Sequence, residues 1–126
     1  MKNLLSAVLL VTALTTCVVA PPVPDEWASR VFISADLRDN LHVVSLRDEL
    51  LANGNRQILV SGQSLGYFTQ RVRYRALWFD AAGAPVNTVV SAWNAMTLEK
   101  SRPFDLNLVG PGRHGVTYRV EFEKAP

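Results

Sequence analysis

The chain has 126 residues, with 13 Lys and Arg against 11 Asp and Glu, a formal charge of +2 and a single cysteine. That length holds one domain with one core, and a charge so near balance excludes a nucleic-acid binder of the polycation kind. One cysteine excludes an internal disulfide, so packing must hold the fold.

The chain opens on an export signal. Met1, Lys2 and Asn3 make a short basic start, and residues 4–14, LLSAVLLVTAL, are apolar except at Ser6 and Thr12. This is the form of a secretory signal peptide over residues 1–16, and it falls short of the ~20 apolar residues of a membrane span. Cys17 stands directly behind the apolar run in Leu14-Thr15-Thr16-Cys17. The arrangement resembles a bacterial lipobox, whose cysteine is lipidated and becomes the first residue of the mature protein. Leu14 fits that pattern, whereas Thr16 stands where Gly, Ala or Ser is usual. The rival is ordinary cleavage after Val18-Val19-Ala20, giving a soluble periplasmic protein, and Pro21 immediately after the cut argues against it. Val18 rather than Asp follows the cysteine, which by resemblance to known lipoproteins implies the outer membrane and a periplasm-facing domain. Loss of Lys2 with the signal lowers the charge by one.

Residues 17–26 form a tether. The stretch VVAPPVPDE has prolines at 21, 22 and 24, which can neither pair inside a sheet nor sit inside a helix. At ~3.1 Å per residue in polyproline form, it holds the following domain within a few tens of ångströms of a lipid anchor.

From Trp27 to Pro126 the dominant period is two, as half-buried strands demand. Strands are expected over residues 27–34, 41–47, 57–64, 70–80 and 86–98, then in PFDLNLV, with Phe104, Leu106 and Leu108 on one face, and in VTYRVEF, with Val116, Tyr118, Val120 and Phe122 on one face. In residues 70–80, Val72, Tyr74, Ala76 and Trp78 form the inward set, and Arg71, Arg73, Arg75, Leu77 and Phe79 the outward one. Ser45, Asp48 and Gly54 offer caps for a rival short helix over LRDELLAN, but ANGN is a strong turn signal and RQILVSG after it reads as strand. About seven short strands without a long helix predict an all-β, antiparallel, two-sheet sandwich over residues 27–126. After the arginines, Asp80 is placed to accept backbone amides two residues on, Gly83 to take a positive φ, and Pro85 to end pairing, so WFDAAG reads as a structural turn rather than a catalytic aspartate.

YRALWFDAAGAPV, with Trp93, MTLEKSRPFDLNLVGPG and the closing YRVEF, is similar to the YcfL-type family of small exported bacterial lipoproteins, whose domain is uncharacterised. The likeness covers about residues 57–123. It implies an immunoglobulin-like sandwich anchored in the envelope and brings no catalytic residues with it.

Chemistry is sparse. His42 and His114 have no third ligand near them in sequence and no HxH or HExxH spacing, so no metal or cofactor is expected. Serines 45, 61, 64, 91 and 101 lack a nucleophile elbow, and Asp36, Asp39, Asp48 and Glu49 follow no EF-hand spacing, so no enzyme is expected. Trp93 is expected in the core. The arginine row has two readings. It is a binding face for an anionic lipid headgroup or peptidoglycan fragment, with Leu77 and Phe79 beside it. Alternatively it is a solvated strand face neutralised by Glu121 and Glu123, which share its spacing of two on the closing strand, in pairs of a few tenths of a kcal/mol each. The second reading leaves a non-enzymatic module that contacts another envelope protein. Replacing Cys17 by Ser is expected to move the protein from the membrane fraction to the soluble periplasmic fraction; retention in the membrane fraction would refute the lipobox.

Overall fold

Alternating apolar residues give the chain strands wherever one face can be buried. The computed structural model describes residues 27–126. Its strands are β1 (Val31–Ile33), β2 (Leu41–Leu50), β3 (Arg56–Ser64), β4 (Gln70–Phe79), β5 (Pro85–Val86), β6 (Asn94–Leu98), β7 (Pro103–Val109) and β8 (Thr117–Lys124). They form two sheets. One runs β1-β8-β4-β5, with β6 also paired to β4, and the other runs β2-β3-β7. All neighbours are antiparallel except β1 and β8, which are parallel. The fold is therefore all-β in two sheets, as expected.

Both sheets send their inward rows into one core. Val72, Ala76 and Trp78 of β4 lie with Val120 and Phe122 of β8 on one side, and Ile58 and Val60 of β3 on the other, all essentially inaccessible to water. Trp78 and Tyr118 are tilted neighbours at 5.7 Å between ring centroids, and Phe122 meets Phe104 of the opposite sheet edge-on at 6.2 Å. Burying Trp78 contributes roughly 4–6 kcal/mol at ~25 cal/mol per Å². Its indole N–H has no hydrogen-bond partner among the described residues, which costs about 1–3 kcal/mol and leaves the balance favourable.

Three strand spans differ from the sequence expectation by more than two residues, and Val116, expected to face inward at the head of the last strand, lies outside β8 and is exposed, its N–H donating to the Phe79 carbonyl at 2.8 Å. The first strand, expected over residues 27–34, keeps only Val31–Ile33, because Trp27 starts a tight turn in which the Arg30 N–H donates to the Trp27 carbonyl at 2.8 Å. The second runs to Leu50 rather than ending at residue 47, and no helix forms over LRDELLAN. A bulge between Val43 and Ser45 shifts the register there. The extra residue inverts the alternation, so that Leu46 packs on the core after Leu41 and Val43 have done so, and the strand continues as far as the turn at residues 51–55. The run expected over residues 86–98 breaks into β5, a 3-10 turn at Val89–Ser91 and β6, both strands lying along the same edge of β4. That break makes eight strands of the expected seven.

Gly62 has a specific reason to be glycine. It stands between Val43 and Phe104 in the ladder, and a Cβ there would lie 2.3 Å from the Phe104 ring and 2.5 Å from the His42 carbonyl oxygen. The bare backbone lets Phe104 fold over β3 towards Phe122. Replacing Gly62 by Ala is expected to lower stability by about 1–3 kcal/mol, read as a lower urea midpoint at unchanged slope. An unchanged midpoint would show that Phe104 does not hold this position.

Candidate functional site

β4 is the middle strand of its sheet, so both of its neighbours help to define the outward face. Arg71, Arg73, Arg75, Leu77 and Phe79 all lie on that face, alternating with the core residues. The register with β8 sets Arg73 opposite Glu123, Arg75 opposite Glu121, Leu77 opposite Arg119 and Phe79 opposite Thr117. Arg73 donates to Glu123 Oε2 from Nη2 at 2.6 Å and from Nε at 3.0 Å. Arg75 Nε donates to Glu121 Oε1 at 2.8 Å, while Arg119 Nη2 reaches Glu121 Oε2 at 3.2 Å. Glu121 is the buried member of this row, its residue only 8% exposed, and the two guanidiniums on its carboxylate satisfy it.

Trp93 covers the row. It sits just before β6, outside the core where the sequence reading places it, and its ring lies 4.4 Å from the Arg73 guanidinium and 4.2 Å from that of Arg75. The reason is its place in the ladder. β6 pairs Arg73 with Ala95 and Tyr74 with Asn94, so Trp93 arrives on the outer side and finds two cations to stack on. Each guanidinium is thereby held by a carboxylate from β8 and the ring face of Trp93.

Arg71 differs from the other two. Its side chain is exposed and makes no ion pair among the described residues, and it borders a hollow of about 360 Å³ with Arg73, Trp93, Asn94 and Ala125. Leu77 and Phe79 are half-buried rather than open to water. In the following turn, Asp80 Oδ1 accepts the N–H groups of Ala82 and Ala84, each at 2.9 Å, and Gly83 has φ 81°. Asp80 thus holds its turn through Oδ1.

The other polar candidates are dispersed. His42 lies on β2 and His114 in an exposed loop, and no three His, Cys, Asp or Glu residues come together as a metal site among the described residues. Asp36 accepts from the Ser34 hydroxyl at 2.6 Å, and Asp48 pairs with Arg56 at 3.3 Å. At one end of the core Arg30 lies over the Tyr118 ring at 5.5 Å. Burial pushes the Tyr118 hydroxyl above its ordinary pKa of 10.0; the Asp48 carboxylate adds to this, and the Arg30 and Arg56 charges oppose it. Cys17 lies outside the described residues.

The most exposed large aromatics escaped the sequence reading. Tyr67 and Phe68 stand side by side in the loop between β3 and β4, 80% and 83% exposed, and border a second hollow of about 340 Å³ with Asn40, Gln70 and Lys124. An aromatic pair inside a turn signal, SLGYFT, was the available cue: a short loop has no second layer under which to bury two rings.

Comparison with known proteins places this two-sheet domain in a family. Residues 29–124 match the family described as proteins of unknown function, DUF1425, and the chain belongs to that family. Two solved structures share the fold. Campylobacter jejuni Cj0090 superposes with a TM-score of 0.65 at 17% identity, over 77% of this chain and 99% of its own. A DUF1425 family member from Shewanella sp. pv-4 superposes with a TM-score of 0.61 at 18% identity, over 74% of this chain and 85% of its own. No curated protein matches the chain.

The side chain of Glu121 is 11% exposed and that of Glu123 is 34% exposed, so the two ion pairs differ in worth. A double-mutant cycle with Arg75→Gln and Glu121→Gln is expected to give a coupling of about 1 kcal/mol in urea unfolding, and the cycle with Arg73→Gln and Glu123→Gln about half of that. Equal couplings near zero would remove the ladder from the account of stability.

Proposed function

We propose that this DUF1425 protein is a YcfL-type exported lipoprotein, held through a lipid on Cys17 in the outer membrane and facing the periplasm, whose immunoglobulin-like sandwich is a non-enzymatic module for binding another envelope protein. The observation that carries this reading is the Tyr67–Phe68 tip, two adjacent aromatic rings almost wholly in water. Adjacent exposed aromatics are costly to leave wet and are characteristic anchors at protein interfaces. Their position supports a protein partner over the anchoring membrane. Val31 is opposite Val120 in a parallel pair, so the chain enters the domain beside the middle of β8 and runs in the same direction. Lys124, at the far end of β8, borders the hollow beside Tyr67 and Phe68. At ~3.3 Å per residue the rise from Val120 to Lys124 is roughly 13 Å, which sets the aromatic tip beyond the point where β1 enters the sheet.

The arginine face favours the same reading, because Arg73 and Arg75 already have carboxylate partners and an aromatic cover. Arg71 alone keeps a second reading alive, in which its guanidinium and the neighbouring hollow take an anionic lipid headgroup or peptidoglycan fragment.

Photo-crosslinking in cells separates the two. A crosslinking side chain at position 68 is expected to give one discrete protein adduct, lost when Tyr67 is replaced by Ser, while the same group at position 94, on the rim of the hollow beside an intact Arg71, gives none. Adducts with lipid or cell wall from position 94, lost when Arg71 is replaced by Gln, would support the anion-binding reading instead. Silence at position 68 would refute the protein-docking role of the tip.

A further inference from the structure

Among the described residues the two sheets end in four open edges, and three of them are blunted. β1 has only three residues, β2 carries the bulge after Val43 and the charge run Arg47-Asp48-Glu49, and the β5/β6 edge is interrupted by the 3-10 turn. These are the devices by which sheet proteins avoid pairing edge to edge. β7 has none of them beyond Pro103 at its start: it is seven residues long, keeps register with β3 throughout, and has Asp105 as its one charge.

The orientation of its backbone follows from two flanking bonds. The Gly110 N–H donates to the Arg56 carbonyl at 2.7 Å, and the Ser64 N–H to the Arg102 carbonyl at 2.9 Å. With the register Ile58 opposite Leu108 and Val60 opposite Leu106, the hydrogen-bonded pairs of the ladder fall on Phe104, Leu106 and Leu108. Asp105, Asn107 and Val109 therefore turn their N–H and C=O groups to the open edge, as Pro103 does its C=O. All four are exposed.

That edge is complementary to itself. Setting two copies antiparallel with Leu106 on the two-fold axis places Asp105 against Asn107, Phe104 against Leu108 and Pro103 against Val109 of the other copy. Asp105 and Asn107 then exchange backbone hydrogen bonds across the seam, Val109 donates to the proline carbonyl, and the total is about six bonds. On the outer face each carboxylate meets a carboxamide, so no like charges are opposed. On the inner face the half-buried Phe104 meets Leu108 of the other copy and Leu106 meets its own counterpart. Moving the axis to Asp105 would oppose two carboxylates, and moving it to Asn107 would shorten the overlap.

We infer that β7 is a self-association edge: two copies of this chain pair through it, antiparallel about Leu106, and join their three-stranded sheets into one. Sedimentation equilibrium of the exported chain carrying Cys17→Ser reads the dimer constant without contribution from lipid or thiol. Asn107→Asp, which sets Asp against Asp at two places in the seam, is expected to weaken the dimer about tenfold. The exchange Asp105→Asn with Asn107→Asp restores the carboxylate–carboxamide pair and is expected to return the constant to within about twofold of the starting chain. Both positions are exposed on the outer face, and circular dichroism checks that the variants fold. A chain that stays monomeric up to about 1 mM overturns the inference. So does a dimer unmoved by Asn107→Asp, or one that the exchange fails to rescue.

Discussion

The register between β4 and β8 is the constraint on which the rest of the structure depends. With Arg75 opposite Glu121, Trp78 falls opposite Tyr118 and Tyr74 opposite Phe122, so one alignment satisfies both faces of the central strand pair. A slip of one residue would send the arginines into the core and Trp78 into water. The charge row adds little energy, since two of its members are about a third exposed, but it penalises the wrong alignments and so supports specificity more than stability. Burial of Trp78, Val120 and Phe122 supplies the driving force.

That same register moves the search for function to the periphery. A row of three arginines draws attention as an anion site, yet two of them are paired with Glu121 and Glu123 and stacked against Trp93. What remains unsatisfied among the described residues is elsewhere: wet aromatic rings at the Tyr67–Phe68 tip, a guanidinium without an ion pair at Arg71, and the outer backbone edge of β7.

Much of the fold was legible because a strand buried on one side writes its burial into every second residue. β3, β4, β7 and β8 lie where the alternation placed them, and the turn at Asp80 and Gly83 was readable from residue chemistry alone. The alternation failed at β2, where the bulge at Val44 swaps the faces in mid-strand, and at residues 86–98, where a continuous-looking run is cut by a 3-10 turn. Both are local departures from regular pairing, and neither has a composition that separates it from ordinary strand. Trp93 was misplaced for a related reason: its residue type favours burial, while its position outside the ladder decides the matter.

The linear chain on its own determined the two-sheet class, the inward and outward rows of β4, and membership of the candidate face by Arg71, Arg73, Arg75, Leu77 and Phe79, because these follow from spacing within one strand. Which arginines are engaged, what Trp93 covers, which edge stays open and how far the aromatic tip lies from residue 27 were decided only when strands distant in sequence were brought side by side. Spacing describes one strand at a time, whereas pairing, stacking and edge exposure are relations between strands, and those exist only in the folded protein.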